Sequence, residues 1–331
     1  MLVREAMTNE EFRTLTLAAR DSLSNVTRGT MRGIRRAYKD AADSVADAVA
    51  AARLAGHAQI TVESMVSIQR QLEAGADAIR DAVEAGTLGG VRISVEKIGS
   101  VHDRYISSVF NRAGVTIVDR AVIAQIVSGV NERVIRSVVN RVWQDGYTFS
   151  RRVWRVGSGF IDDIRNVISA GLAQGRDVLD IARDIQVYTA DGRVALMERY
   201  GTLERGTREF SKRIPRRVDW RALRLARSEL YASLMDANIE QGKMNPASTE
   251  LWDWVRQGSI DHDCDCPDYA RNSPYKLNDL PGYPHANCLC TAIVRLQNQD
   301  EFNERLQDWA AGKPDPDLDQ WYTDVYLPEA A

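Results

Sequence analysis

Residues 220–242, WRALRLARSELYASLMDANIEQG, followed at 250–257 by ELWDWVRQ, decide how the chain divides. The first stretch reads as one long helix from Trp220 to Gln241 that stops at Gly242. The second reads as a strand, with Trp252 and Trp254 sharing a face as packed aromatics. Before this junction the chain is rich in Ala, Arg, Val, Glu and Ile, and apolar residues recur at helical spacing. Val134, Ile135, Val138, Val139 and Val142 form one such stripe. After it, proline, aspartate, asparagine and aromatics concentrate, and a second strand, TAIVRL, falls at 291–296. The expected fold is mainly α: a long helical N-terminal region, then a smaller α+β domain with a Cys/His-tied β-hairpin in which 250–257 pairs antiparallel with 291–296. The expected segments are 1–200, helical; 201–297, the α+β domain; and 298–331, an acidic, aromatic tail.

Punctuation within the helical region follows side-chain chemistry. Thr8 before Asn9, Glu10 and Glu11, Thr61 with Ser64, and Asp177 before VLDIARDI carry oxygens suited to helix starts. Breaks are expected at the cluster Gly86, Gly89 and Gly90, at Gly114, Gly146 and Gly175, and at the pair Gly157 and Gly159.

Composition sets outer limits. A chain of 331 residues with 44% apolar content and 7% aromatics can bury one large core or two smaller ones. Its net charge of −3 advertises no general affinity for nucleic acid, so such a role requires local segregation of charge. That segregation exists. Arg205, Arg208, Lys212, Arg213, Arg216, Arg217, Arg221, Arg224 and Arg227 crowd one segment against Glu209 and Asp219, whereas the chain beyond 297 is dominated by Asp and Glu. The basic run reads either as a solvated helix face or as a phosphate- or partner-binding surface through Arg213, Arg216, Arg217, Arg221 and Arg224. In the acidic tail, Trp309, Trp321 and Tyr326 supply apolar anchors for docking on another protein. The N-terminus, MLVREAMTNEEF, has acids where a signal peptide carries its apolar core, and charges such as Asp119 and Arg120 interrupt the longer apolar stretches. The sequence therefore reads as neither exported nor membrane-spanning.

All four cysteines lie within DHDCDCPDYARNSPYKLNDLPGYPHANCLC, residues 261–290. In extended chain, residues two apart share a face about 6.6 Å apart at Cα, so Cys264 with Cys266, and Cys288 with Cys290, each present two thiols to one side. Pairing of the flanking strands would converge them, with His285 as an alternative ligand, into a closed structural Zn²⁺ site of Cys₄ or Cys₃His type. Packed thiols without metal and a disulfide fit the same spacing. His262 is expected at the surface.

LARSELYASLMDAN, the tryptophan strand WDWV, the turn leading to CPDY and the closing LPGYPHANCLC together resemble the C-terminal signature of the phage Mu protein F-like head morphogenesis family. The helix motif of that family falls on Ala226, Arg227, Ser228 and Glu229, with Ser in place of Thr. The closing motif falls on Pro284, His285, Cys288 and Cys290. Cys266 matches the first cysteine of the family's Cys-x-x-Cys turn, but Tyr269 occupies the second position, which leaves Cys264 as the substitute. The resemblance covers about residues 175–296 and implies a minor capsid protein, structural rather than enzymatic. It implies few copies in the virion, at the capsid interior or near the portal, and a part in DNA packaging or ejection. The implied partners are the portal protein, the major capsid protein and packaged DNA, with no membrane and no small-molecule substrate. Arg227 and Glu229 are expected in an internal ion-pair network.

Two other classes compete. One is a zinc-containing nucleic-acid-binding protein. The other is a cysteine- or metal-dependent hydrolase with Cys288 and His285 as nucleophile and base. The hydrolase reading lacks a third orienting residue, a His-Glu-x-x-His and a deaminase-type His-x-Glu. The absence of a G-x-x-x-x-G-K-[ST] loop likewise argues against a packaging ATPase.

Overall fold

Helix start signals in the sequence are used as hydrogen-bonding caps. Thr8 and Glu11 form a reciprocal capping box, with Glu11 N–H donating to Thr8 Oγ1 at 3.1 Å and Thr8 N–H to the Glu11 carboxylate at 2.7 Å. It opens α1 (Asn9–Leu54). Ser64 N–H donates to Thr61 Oγ1 at the start of α2 (Val62–Ala113), and Leu179 N–H donates to Asp177 at the start of α5 (Val178–Asp191). Between them lie α3 (Arg120–Asn140) and α4 (Phe149–Ala173), capped by Thr148; α6 (Arg193–Tyr200) follows. This computed structural model describes residues 7–54, 61–143, 145–200, 213–257 and 264–330.

Gly114, Gly146 and Gly175 have φ of +70°, +75° and +64° and do end or separate helices. Gly86, Gly89 and Gly90 do not: they lie inside α2, where fully buried Val83, Val91 and Val95 outweigh the roughly 1 kcal/mol cost of each glycine. Gly157 and Gly159 lie inside α4. At Gly157 a Cβ would come within 3.0 Å of the Ala76 carbonyl oxygen, so this glycine serves close backbone approach rather than a break. The expected stripe through Val139 and Val142 is also shifted, because α3 ends at Asn140 and both valines are exposed. Its buried face is Ile123, Ile126, Val127, Val130, Val134 and Val138.

The long helix read from Trp220 is α7 (Trp220–Met244). It passes through Gly242 and ends at Met244; a Cβ at 242 would meet Val294 at 3.0 Å and the Trp252 ring at 3.3 Å, so this glycine serves close packing rather than a stop. β1 (Ser248–Val255) and β3 (Thr291–Leu296) pair antiparallel as expected, Trp252 opposite Val294 and Trp254 opposite Ala292. A third strand, β2 (Tyr275–Lys276), pairs with the other edge of β1, giving the order β2-β1-β3. The fold is thus mainly α with one small antiparallel sheet.

The chain forms two compact units that interleave in sequence instead of following three consecutive segments. The sheet unit comprises Met1–Thr27, Gly89–Asn140 and Arg227–Ala331; the helical unit comprises Arg28–Leu88 and Arg141–Ala226. Phe12, Tyr105, Phe110, Trp252, Trp254, Val294, Phe302 and Leu306 belong to the core of the sheet unit. The core of the helical unit includes Tyr38 edge-on to Phe160, with Val45, Ile79, Ile164, Val167 and Ile185.

The chain beyond 297 corrects an expectation. It folds as helices Gln299–Ala310 and Pro316–Trp321 onto its own unit, and the three residues expected to dock on a neighbour are buried in that unit's core. Trp321 Nε1 donates to the Met244 carbonyl oxygen at 2.9 Å, Trp309 Nε1 donates to Asp319 at 2.8 Å, and the Tyr326 hydroxyl accepts from Asp119 N–H at 2.7 Å. Arg305 binds Asp315 through two nitrogens and also reaches Asp317, so part of the acidic charge is neutralised internally. Among the described residues no helix is long and apolar enough to cross a membrane.

Candidate metal centre

Three pieces of chain deliver the sulfurs and the imidazole. Cys264 lies in a bend and Cys266 is the first residue of the short helix Cys266–Arg271, so this pair is not the extended segment expected from spacing. His285 and Cys288 sit on the loop that enters β3, and Cys290 immediately precedes that strand. Asn287 has φ +64°, a left-handed conformation that asparagine tolerates better than most residues. This turn is fastened by Cys288 N–H donating to the His285 carbonyl at 3.1 Å and by the Tyr283 hydroxyl donating to the Cys288 carbonyl at 2.8 Å.

Helix α7 holds the loop from behind. Asn287 N–H donates to Ser228 Oγ at 3.0 Å, and Asn238 Nδ2 donates to Thr291 Oγ1 at 3.0 Å. Ser228 and Asn238 are both buried, so each bond is shielded from competing water. Glu229 is fully buried on the same helix. Burial pushes the Tyr283 phenol above its ordinary range, and Arg227 and Glu229 act on it with opposite signs. The helix motif and the closing motif, about sixty residues apart in sequence, are therefore one packed assembly.

Cys266 is the common member of two ligand groups: Cys264, Cys266 and His285 approach within 4.8 Å of one another, and so do Cys266, Cys288 and Cys290. Cys266 Sγ lies 3.7 Å from Cys288 Sγ and 3.4 Å from His285 Nε2. A tetrahedral ion with metal–sulfur bonds of about 2.3 Å separates two sulfur ligands by about 3.8 Å, so the Cys266–Cys288 spacing suits two ligands of one ion. His285 Nδ1 faces the Ala286 carbonyl oxygen at 3.1 Å, which suits an imidazole whose Nε2 is the ligand and whose other nitrogen is tied to the backbone. Cys266, Cys288 and Cys290 are buried and Cys264 is half-buried; all four are free thiols. The cluster can hold a metal ion.

Electrostatics favour a cation there. Burial pushes the Cys266 thiol up to about 12. Cys288 is raised first by its hydrogen bond to Cys290 and then by burial, whereas that same bond lowers Cys290 to about 6. Negative charge on several sulfurs in a buried cluster is costly, and a divalent cation would offset that cost.

Tyr269, at the position where a Cys-x-x-Cys turn has its second cysteine, packs its ring edge-on to Trp254 with centroids 5.3 Å apart. Cys264 takes its place among the possible ligands. Of the basic segment, Arg205, Arg208 and Lys212 lie outside the described residues, as does His262. Arg217 pairs with buried Asp219 at 3.2 Å and Arg221 with buried Asp163 at 3.1 Å, so these two cations stabilise the interior of the helical unit. Arg213, Arg216 and Arg224 are exposed. Comparison of the chain with protein-family models, with curated proteins and with solved structures found no match.

Proposed function

We propose that this chain is a minor head protein of a tailed bacteriophage, a structural component of the capsid interior near the portal whose Cys/His loop is held by one structural Zn²⁺. The observation that supports it most is the packing of the motif helix on the motif loop: Ser228 of the first accepts from Asn287 of the second, beside Cys266, His285 and Cys288. The residues on which the resemblance rests thus form a single built feature rather than a chance string.

Zinc is the metal of choice on donor chemistry, since thiolates with an imidazole in a closed, buried, four-ligand set select it over harder cations. Cys266, Cys288 and Cys290 would be three ligands, with His285 or Cys264, each grouped with Cys266, supplying the fourth. A closed set has no position for substrate, so the protein works by binding, with the portal or major capsid protein as partner and packaged DNA as a further contact. Quantitative mass spectrometry of purified virions and procapsids tests the assignment: a fixed, low copy number beside the portal supports it. A chain that is abundant in infected cells yet absent from both particles would overturn it.

A further inference from the structure

The turn between α3 and α4 carries a surface that the basic run at 213–224 does not explain. Residues 141–160 contain four arginines against one carboxylate, Asp145, interleaved with Trp143, Tyr147 and Trp154. A bridge between Val142 and Thr148 folds the turn back on itself, and α4 starts at once behind it. This places Arg152 over the Trp143 ring at 5.3 Å and Arg155 over the Tyr147 ring at 4.5 Å; Arg141 lies over Trp143 at 5.6 Å. Along α4, Phe149, Val153, Val156 and Phe160 face the core, so Arg151, Trp154 and Arg155 fall on the solvent side. Trp154 is 56% exposed, unusual for so large an apolar residue.

Charge and stacking together select the partner. Arg152 is paired with Asp145 at 2.7 Å, whereas Arg151 and Arg155 form no ion pair among the described residues. Arg80, paired with Asp77, lies against Gly157 one turn further along α4 and adds no uncompensated charge. A duplex or an acidic polypeptide would use only the cations. Unpaired bases would use the cations through their phosphates and also stack on the open Trp154 ring and on the ring-supported guanidinium planes. We infer that the 141–155 surface binds single-stranded nucleic acid, through Arg151 and Arg155 to phosphate and Trp154 to a base. The inference rests on this surface alone and stands or falls independently of the head-protein assignment.

Fluorescence anisotropy of the full chain with a labelled oligothymidylate tests it, with a duplex of equal length and polyglutamate as competitors. Binding should weaken with rising salt, and Trp154→Ala should lower affinity about tenfold while Trp154→Phe largely retains it. Arg151→Glu with Arg155→Glu should abolish binding, and Arg213→Glu with Arg216→Glu should leave it unchanged. All these side chains are on the surface, and circular dichroism identical to wild type confirms folding. The inference is overturned by absence of binding, by equal affinity for duplex with no effect of Trp154→Ala, or by polyglutamate displacing the oligonucleotide as efficiently as unlabelled oligothymidylate does.

Discussion

The two units of this chain share a helical texture but satisfy their buried polar groups in different ways. In the helical unit the groups are charged: Asp184 is held by Arg176 at 2.9 Å and Arg199 at 2.7 Å, Asp163 by Arg221, and Asp219 by Arg35 and Arg217, with all three carboxylates out of solvent. In the sheet unit they are mostly neutral. Gln241 donates to Asn131 and to the Val127 carbonyl, Asn238 to Thr291, and Asn287 to Ser228, while the densest polar cluster is sulfur. Neutral bonds keep their strength across pH and salt, so apart from buried Arg20, His102 and Glu229 the ionisable groups in the interior of the sheet unit are chiefly its sulfurs. The helical unit spreads its sensitivity over ion pairs.

The largest effect that can break this contrast is metal removal. Chelation, or Cys266→Ser, should raise hydrogen exchange across 264–296 and in the facing part of α7, while α4 and α5 stay protected. Uniform loosening of both units would erase the distinction. Next comes Trp252→Ala, which removes the largest fully buried side chain and should cost about 3–5 kcal/mol of stability in denaturant unfolding. In the helical unit, Asp184→Ala should cost about 2–3 kcal/mol, less than a wholly buried pair because Arg176 and Arg199 retain partial access to water.

The smallest effect is in pH. Burial holds the Asp163 carboxyl up at about 6 against an ordinary 3.8, with Arg221 acting in the opposite direction. Between those values the folded chain keeps a proton that the unfolded chain has released. This group's contribution is therefore present below about 4 and lost as pH rises through about 6. Thermal melts of Asp163→Asn should show a shallower decline over that window than the wild type; parallel curves would remove Asp163 from the account.

Sequence was a good guide wherever one side chain acts on its own backbone. Thr8, Thr61 and Asp177 start helices, and TAIVRL at 291–296 is β3, because caps and β-branched runs are local signals. It misled where tertiary contact overrides local preference. Gly242 is inside α7, where its missing Cβ leaves room for Val294 and Trp252, and Glu250 adopts φ +60° at an irregularity in the β1–β3 register that no spacing announces. β2 is only two residues long and left no periodicity to read.

The candidate metal ligands were legible as a cluster, but the pairing was not. Cys264 and Cys266 lie on a bend and a helix start instead of a strand, and the support from Ser228 comes from a remote helix. The tail's own spacing points to packing rather than docking. Phe302, Leu306 and Trp309 recur at helical intervals and are buried together, the mark of a helix packing on its own core rather than of a free docking segment. Arginines interleaved with Trp143, Tyr147 and Trp154 are a pattern present in the sequence, although their charge density is lower than that of the run near 213.

Native mass spectrometry of the purified full-length chain, beside its Cys266→Ser variant, tests the central claim most directly. The account predicts one zinc ion on each folded wild-type chain and none on the variant, because Cys266 belongs to both ligand groups. A wild-type chain that is metal-free after preparation with zinc present, yet as protected from exchange across 264–296 as the rest of its unit, would contradict it.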